Sequence, residues 1–331
     1  MNLSLPLRLL LWPISMLYGA AARLTAWLYA HGIYTVKHLN APVVSVGNLT
    51  VGGTGKTPMV LWLAERCMAE GKRVAVLSRG YRGSGGTSDE VELLKSKLGE
   101  RVLYGVGPDR YQEGRRIESE HHIDVFLLDD GFQHLQLARA VDIVLIDSTR
   151  PLSKEFLLPA GSMREPMSAI SRARVVLYTR VQQAPIVVPA IQKFPNLPIF
   201  AASTKLMGFK QIPTGESSPI DNLPQPVFAF CGIGNPEAFF DDLARWNVEV
   251  AGKVAFRDHH LYSAKDAREL ESLAQQARAK ALLTTEKDIQ NIGDARFSLP
   301  LYCCEIALDI PDAAQLWKLV NQFLPPAGAP S

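Results

Sequence analysis

No acidic residue occurs before Glu65. Only four cysteines are present, Cys67, Cys231, Cys303 and Cys304, and none makes a Cys-x-x-Cys pair. Cys303 and Cys304 are adjacent, a poor geometry for bonding each other. This excludes a disulfide scaffold, argues against a zinc site, and reads as four reduced thiols in a reducing compartment. Charged side chains are 21% of the chain, with no internal repeat and no low-complexity segment. A formal net charge of +2 excludes a generally basic protein that coats nucleic acid.

What is present is 331 residues, 47% of them hydrophobic. That length favours two domains, each able to bury a core without staples. The small net charge hides an asymmetry. Arg8, Arg23, Lys37 and Lys56 give the first 64 residues +4, and the remaining 267 carry −2. The cationic part is also the most apolar. Residues 9–22 hold no charge and lie between Arg8 and Arg23; Leu24 to Ala30 continues apolar and aromatic. The layout fits a secretory signal peptide ending near Ala20-Ala21-Ala22. It also fits a spanning helix that absorbs Arg23 and Pro13, or a buried helix of a soluble domain. The fourth reading is an interfacial helix pair, with Trp12, Tyr18, Trp27 and Tyr29 at headgroup depth and Arg8, Arg23 and Lys37 facing anionic phosphates.

A short β-branched run over 42–46 reads as a buried strand. It leads into Gly47-Asn48-Leu49-Thr50-Val51-Gly52-Gly53-Thr54-Gly55-Lys56-Thr57, after which Pro58 opens an apolar helix that Gly71 ends. Strand, glycine-rich loop, Gly-Lys-Thr and helix form the phosphate-cradling arrangement. The candidate nucleotide-binding residues are Gly52, Gly53, Thr54, Gly55, Lys56 and Thr57. Lys56 reaches the β- and γ-phosphates and Thr57 holds Mg²⁺. Thr50 stands where the usual pattern has Gly. This motif needs cytoplasmic nucleotide and so counts against a signal peptide.

A second apolar run, 123–130, ends in Asp129-Asp130 and then Gly131-Phe132-Gln133-His134. A strand-end Asp beside a phosphate loop supports Mg²⁺, and adjacent Asp side chains on a strand face opposite ways, so the two have different jobs. Further runs at 73–78, 141–147 and 175–180 alternate with helical stretches, which predicts a doubly wound parallel sheet with its ligand at the carboxyl ends of the strands. Ser78-Arg79-Gly80-Tyr81, the Asp pair and Asp147 all follow such ends. No guanine-reading Asn-Lys-x-Asp is present; Thr285-Glu286-Lys287-Asp288 lacks the Asn, which favours ATP over GTP. His121 and His122 have no motif around them and read as surface or strand-entry residues. Prolines 185, 189, 195, 198, 213, 219, 224 and 226 exclude long helices from 182–226, leaving an extended connector with strand character at 199–206. Beyond it the pattern predicts a strand within 225–234, a helix opened by Pro236, a polar helix over 265–280, a buried strand at 281–285 and a closing helix over 311–324.

Together these pieces resemble the tetraacyldisaccharide 4'-kinase family, the lipid A 4'-kinases of Gram-negative bacteria. The resemblance runs through GNLTVGGTGKTP, Leu77 to Tyr81, Asp129 to His134, Leu158-Pro159-Ala160-Gly161 and Arg164-Glu165-Pro166. It continues in Gly232-Ile233-Gly234-Asn235-Pro236, Phe256-Arg257-Asp258-His259-His260 and Thr284 to Asp288. It implies two α/β/α sandwich domains, the first like a phosphate-loop NTPase, with the active site between them and a membrane-associating helical segment ahead. The expected boundaries are 1–38 for that segment, 39–183 for the kinase domain, 184–226 for the connector and 227–331 for the second α/β domain. The implied reaction moves the γ-phosphoryl of ATP to the 4'-hydroxyl of a tetraacylated glucosamine disaccharide 1-phosphate, giving lipid IVA, at the cytoplasmic face of the inner membrane. The partners expected are the lipid substrate and the membrane surface, with no nucleic acid and no obligate protein partner.

By the same resemblance, Asp89 is the catalytic base and Glu90 a metal ligand, although Ser88 and Val91 replace the family's Gly and Pro. Asp129 falls to the metal, and Asp130 to catalysis as support for His259; which of the two Asp lies nearer the metal stays open. Leu135 replaces the family's Arg. Arg164, planar and always charged, suits a phosphate clamp, the alternative being a salt bridge to Glu165. The rival functions are a nucleotide switch or metal-delivery NTPase with no lipid substrate, and a soluble small-molecule kinase; the apolar cationic start counts against the latter.

Overall fold

The computed structural model describes residues 5–80, 88–187, 194, 196–212, 214–219, 222–293 and 295–328, without the Lys154 side chain. Tyr81, Pro189, Pro195 and Pro213 lie outside the described residues. The chain begins with α1 (Leu5–Ala30), β1 (Val43–Asn48), α2 (Lys56–Ala69), β2 (Val74–Ser78), α3 (Asp89–Leu98), β3 (Leu103–Val106) and α4 (Arg110–Glu120). Next come β4 (Val125–Asp129), β5 (Val141–Asp147), β6 (Val175–Thr179), β7 (Ile199–Ala201), β8 (Ser203–Ile212) and β9 (Ser217–Ser218). It closes with β10 (Val227–Cys231), α5 (Pro236–Arg245), β11 (Val250–Ala255), α6 (Ala264–Gln276), β12 (Ala281–Thr285), α7 (Glu286–Ile289), β13 (Leu301–Asp309) and α8 (Ala313–Asn321).

Two compact units result, and they interleave in sequence. The first takes the chain through Gly80, then Leu98–Ser203, and again from Ile310 onward; the second takes the described residues of 81–97 and Thr204–Asp309. Unit 1 is built on a seven-stranded sheet ordered β3-β2-β4-β1-β5-β6-β7, parallel throughout. Every residue of β1, β2, β4, β5 and β6 is buried. Parallel strands covered on both faces demand this, which is why they read as continuous apolar runs. One face packs Leu49, Phe132, Val144, Ile170 and Tyr178, the other Val43, Leu77, Ile117, Phe126 and Leu128. α8 belongs here too: Trp317 stacks edge-on against Trp62 of α2 at 6.3 Å, and Arg174 lies over Phe323. The order places β1 between β4 and β5, so the ends of these three strands crowd one edge. Val46 faces Asp129 in register and Asn48 faces Leu145.

Unit 2 is built on a six-stranded sheet ordered β11-β10-β12-β13-β8-β9. β11, β10, β12 and β13 pair in parallel, and β8 with β9 antiparallel. α5 starts on Pro236 with Asn235 capping Ala238 N, and α6 starts on a reciprocal Ser263–Asp266 capping box. All four cysteines are buried free thiols.

The strand character at 199–206 is shared between two sheets: β7 closes the first, and after Ala202 the chain enters the second as β8. Two expectations change. The N-terminal segment is one continuous helix rather than a pair, passing through Pro13 and Arg23. Lys37 does not stand free for lipid phosphates; its Nζ lies 3.6 Å from Asp109 and over the Tyr111 ring.

Gly47 lies on β1 where a Cβ would meet Phe132 Cβ at 2.6 Å and Phe132 N at 2.8 Å. Backbone cannot yield there as a flexible side chain can. Gly47→Ala is therefore expected to lower the unfolding free energy by about 1–3 kcal/mol, read from the urea midpoint of Trp fluorescence. An unchanged midpoint would show that the Phe132 turn moves freely.

Candidate active site

Unit 1 builds a phosphate site at the end of β1. Gly52 (φ 108°) and Gly55 (φ 89°) take left-handed backbone closed to other residues without strain. Gly55 is the N-cap of α2 and makes no side-chain cap, so the first-turn N–H groups and the helix dipole are left to an anion. Thr50 needs no such freedom: it is buried and forms an antiparallel bridge with Met163, which explains why a β-branched residue replaces Gly. The loop is held from neighbouring strand ends. Thr179 Oγ1 donates to Thr54 O at 3.0 Å, and Arg180 donates to Gly53 O at 2.9 Å while pairing with Asp147. Thr54 Oγ1 is buried with no hydrogen-bond partner among the described residues.

Lys56 Nζ lies 3.4 Å from Asn48 Oδ1 and 3.5 Å from Asp130 Oδ1. Arg164 Nη1 donates to both Asp130 oxygens, at 2.8 and 2.7 Å. Burial opposes the charge on Asp130, but Lys56 and Arg164 outweigh it and hold the carboxyl below its ordinary range. β4 ends at Asp129, and Asp130 turns left-handed at φ 52°. The two carboxylates therefore diverge through a backbone break and not through strand alternation. Arg164 pairs with Asp130 and not with Glu165, which is taken by Arg172 at 2.9 Å. Gln133 Nε2 ties Asn48 O to Glu165 Oε1, at 3.0 Å each. Where Leu135 displaces the family's Arg, other guanidiniums serve the turn: Arg139 donates to His134 O at 2.8 Å and Arg172 lies over the Phe132 ring at 4.5 Å.

Unit 2 builds a second cluster. Asp89 is the first residue of α3 and is 5% exposed. Its carboxylate accepts from Glu90 N at 3.0 Å, from His259 Nδ1 at 2.9 Å and from Asn291 Nδ2 at 3.1 Å, with Lys287 Nζ at 3.6 Å. Burial would raise its pKa; the bonds from His259 and Glu90 and the charge of Lys287 win and keep it far below the usual range. The bond to Asp89 raises the His259 imidazole above its ordinary value. Desolvation, then Asp89, pushes Glu90 upward. Lys287 stays charged because Glu90, Asp89 and Asp258 surround it.

His259 itself sits at φ 58°, with its N–H on Gly232 O at 3.1 Å. Gly232 N is held in turn by the fully buried Asp288 at 2.7 Å, which also accepts from Tyr262 OH at 2.8 Å. The carboxylates near His259 are Asp89, Glu90 and Asp258. Within unit 1, Asp130 is engaged by Lys56 and Arg164. Donor atoms of Asp89, Glu90 and His259 lie within 4.8 Å of one another, but Lys287 Nζ stands 3.0 Å from Glu90 Oε1 and already supplies a cation there.

Sequence reasoning missed Lys287 and Asn291 as partners of Asp89. Lys287 lay inside a motif read for its failure to match a guanine signature, and Asn291 carries no local pattern at all. His122 pairs with Asp124 at 3.2 Å and His121 is exposed, as their lack of a motif suggested.

Because the bond to Asp89 raises the folded imidazole, its stabilising contribution is complete below about pH 6.5 and fades as pH rises through the raised folded value. An NMR titration is expected to place the His259 midpoint above about 6.5, and Asp89→Asn to bring it down. A wild-type midpoint at or below the free value would contradict the pairing.

A sequence profile of tetraacyldisaccharide-1-P 4'-kinases matches residues 7–325. The protein named tetraacyldisaccharide 4'-kinase from Geobacter metallireducens is 40% identical over 95% of this chain and 98% of its own length. Its namesake from Geobacter sulfurreducens is 40% identical over 93% and 91%. A crystal structure of LpxK from Aquifex aeolicus in complex with ATP superposes with a TM-score of 0.78 at 31% identity, over 96% of this chain and all of that one. With a phosphate loop in the first unit and the Asp89 cluster in the second, matched over residues 7–325, this chain belongs to the tetraacyldisaccharide-1-P 4'-kinase family.

Proposed function

We propose that this chain transfers the γ-phosphoryl of ATP to the 4'-hydroxyl of a tetraacylated glucosamine disaccharide 1-phosphate, forming lipid IVA in lipid A biosynthesis. The observation that carries the reading is Asp89: a buried carboxylate kept ionised by His259, Asn291 and Lys287, in a chain that also carries a complete phosphate loop. A sugar hydroxyl is a weak nucleophile, and a fixed carboxylate within hydrogen-bond reach orients it and accepts its proton. The hydroxyl oxygen bonds to the γ-phosphorus, the bond to the β,γ-bridging oxygen breaks, ADP leaves, and the proton passes to Asp89 and on to solvent. His259 holds the Asp89 carboxylate in line. Lys56 and Arg164 neutralise charge on the phosphates, and the α2 N–H groups cradle them.

The Thr57 hydroxyl in the first turn of α2 and the buried Asp129 carboxylate at the end of β4 are hard oxygens that suit Mg²⁺. They would hold the ion, which would supply further charge neutralisation at the phosphates. Glu90, held by Lys287, contributes to the charge around the base.

α1 brings the enzyme to its substrate. Its 26 residues span about 39 Å at 1.5 Å per residue, enough to cross a bilayer. Its middle, however, is covered at Ser15 and Gly19 by the irregular 157–160 segment, whose backbone cannot be immersed in hydrocarbon. An interfacial position fits better: Leu9, Leu10, Trp12, Ile14, Leu17, Leu24 and Trp27 are all exposed for lipid, at the cytoplasmic face of the inner membrane where ATP is available.

Incubation with γ-labelled Mg-ATP and tetraacyldisaccharide 1-phosphate is expected to label the lipid; absence of label would overturn the reading. Asp89→Asn is expected to lower kcat by about 10²–10⁴-fold with Mg-ATP affinity retained, whereas loss of ATP binding would move Asp89 to the metal site. Leu10→Asp with Leu17→Asp is expected to shift the protein from sedimenting anionic vesicles to the supernatant, given about 1.5–3 kcal/mol per buried Leu. Unchanged sedimentation would remove α1 from the membrane contact.

A further inference from the structure

One face of α1 is not free for lipid. Ser15 Oγ donates to Leu157 O and accepts from Ala160 N, both at 3.0 Å. One turn on, Tyr18 OH donates to Arg164 O at 2.8 Å. Gly19 lies so close that a Cβ would press into the Leu157 side chain at 2.5 Å. α1 is thus bonded to both ends of a strap, residues 156–164, closed on itself by Leu158 N to Met163 O and Met163 N to Phe156 O, each 2.9 Å.

The opposite edge of the strap is bonded to the phosphate loop. Val51 N donates to Ser162 O at 2.8 Å, Arg164 N donates to Leu49 O at 2.7 Å, and Thr50 bridges Met163. Arg164 then turns its guanidinium onto Asp130, the carboxylate that also faces Lys56. Nothing in the chemistry of phosphoryl transfer requires a tyrosine on an apolar N-terminal helix. The Tyr18 hydroxyl is spent on a backbone carbonyl of the strap, and Ser15 Oγ is fixed between two of its backbone groups.

We infer that α1 is a positioning element for phosphoryl transfer: Tyr18 and Ser15 hold the 156–164 strap against the phosphate loop and so set the aim of Arg164. Tyr18 and Ser15 touch no reacting atom, so they are positioning residues, acting through the Arg164 side chain. The inference rests on the kinase reading for the role of Arg164, but its core, a path of hydrogen bonds from α1 to the phosphate loop, has a readout of its own in Mg-ATP binding.

The test is a double-variant cycle on the full-length protein with Tyr18→Phe, Arg164→Ala and both together, and with Ser15→Ala as a second entry to the strap. Three quantities are measured: kcat and KM on the lipid, the Mg-ATP dissociation constant by calorimetry, and sedimentation with anionic vesicles. Tyr18→Phe removes one hydrogen bond and is expected to lower kcat about five-fold and weaken Mg-ATP about two- to five-fold. Lipid KM and vesicle binding stay unchanged. In the Arg164→Ala background the effect of Tyr18→Phe is expected to vanish, which a merely stabilising hydroxyl would not produce. Ser15→Ala follows the same pattern.

Tyr18→Phe matching wild type in both kcat and Mg-ATP affinity overturns the inference. So do losses that simply add in the double variant. If the wild type leaves the lipid unlabelled yet the Mg-ATP cycle is non-additive, the positioning role stands and the lipid reading falls. If the lipid is labelled and the cycle is additive, the reverse holds.

Discussion

Asp89 and Asp130 are carboxylates taken largely out of water and yet kept ionised, and most of the polar architecture follows from that constraint. A buried charge is tolerated only where donors and opposite charges replace its hydration. Around Asp130 the replacement is Lys56 and Arg164; around Asp89 it is His259, Asn291, the Glu90 N–H and Lys287. These partners must in turn be anchored, so the constraint spreads outward. Arg164 fixes the 156–164 strap to Leu49, and His259 draws in Gly232, Asp288 and Tyr262.

The two clusters meet the constraint for different ends. Lys56 follows a loop shaped for phosphates and Arg164 ends the strap bonded to that loop; the two share one carboxylate, so their charge can be drawn on by a triphosphate. Asp89 accepts from His259 and lies beside Lys287, which keep its pKa low and fix its direction. That is the condition a base needs if it is to accept a proton late in transfer and not hold one beforehand. The α3 N-terminus adds its dipole to the same effect.

α1 adds a mechanical condition. It carries a broad exposed apolar surface and yet spends its polar groups, Ser15 and Tyr18, on the strap beside the phosphate loop. The acidic-free start of the chain is therefore an exposed apolar helix and a phosphate loop joined through one strap.

The sequence determined a good deal alone. The phosphate loop, the Asp pair and the strands β1, β2, β4, β5 and β6 were legible because each is a local pattern: continuous apolar runs for strands buried on both faces, glycines where backbone must approach phosphate. β3 and α4 carried no such pattern; α4 buries only Arg110, Gly114 and Ile117 and shows no apolar stripe to read. Asp89, Glu90 and His259 were found only through family resemblance, since an acidic pair at a helix start and a His pair in a turn are individually commonplace.

Tertiary structure decided the partnerships. That Asp130 would be shared by Lys56 and Arg164, that Lys287 and Asn291 would hold Asp89, and that α3 would join the second unit while α8 returned to the first are outcomes of contacts far apart in the chain. The same holds for Thr50, which the fold pairs with Met163 far along the chain. Charge neutralisation acts through space over a few ångströms. A sequence therefore names the groups that carry charge, and only the folded chain decides which of them face one another.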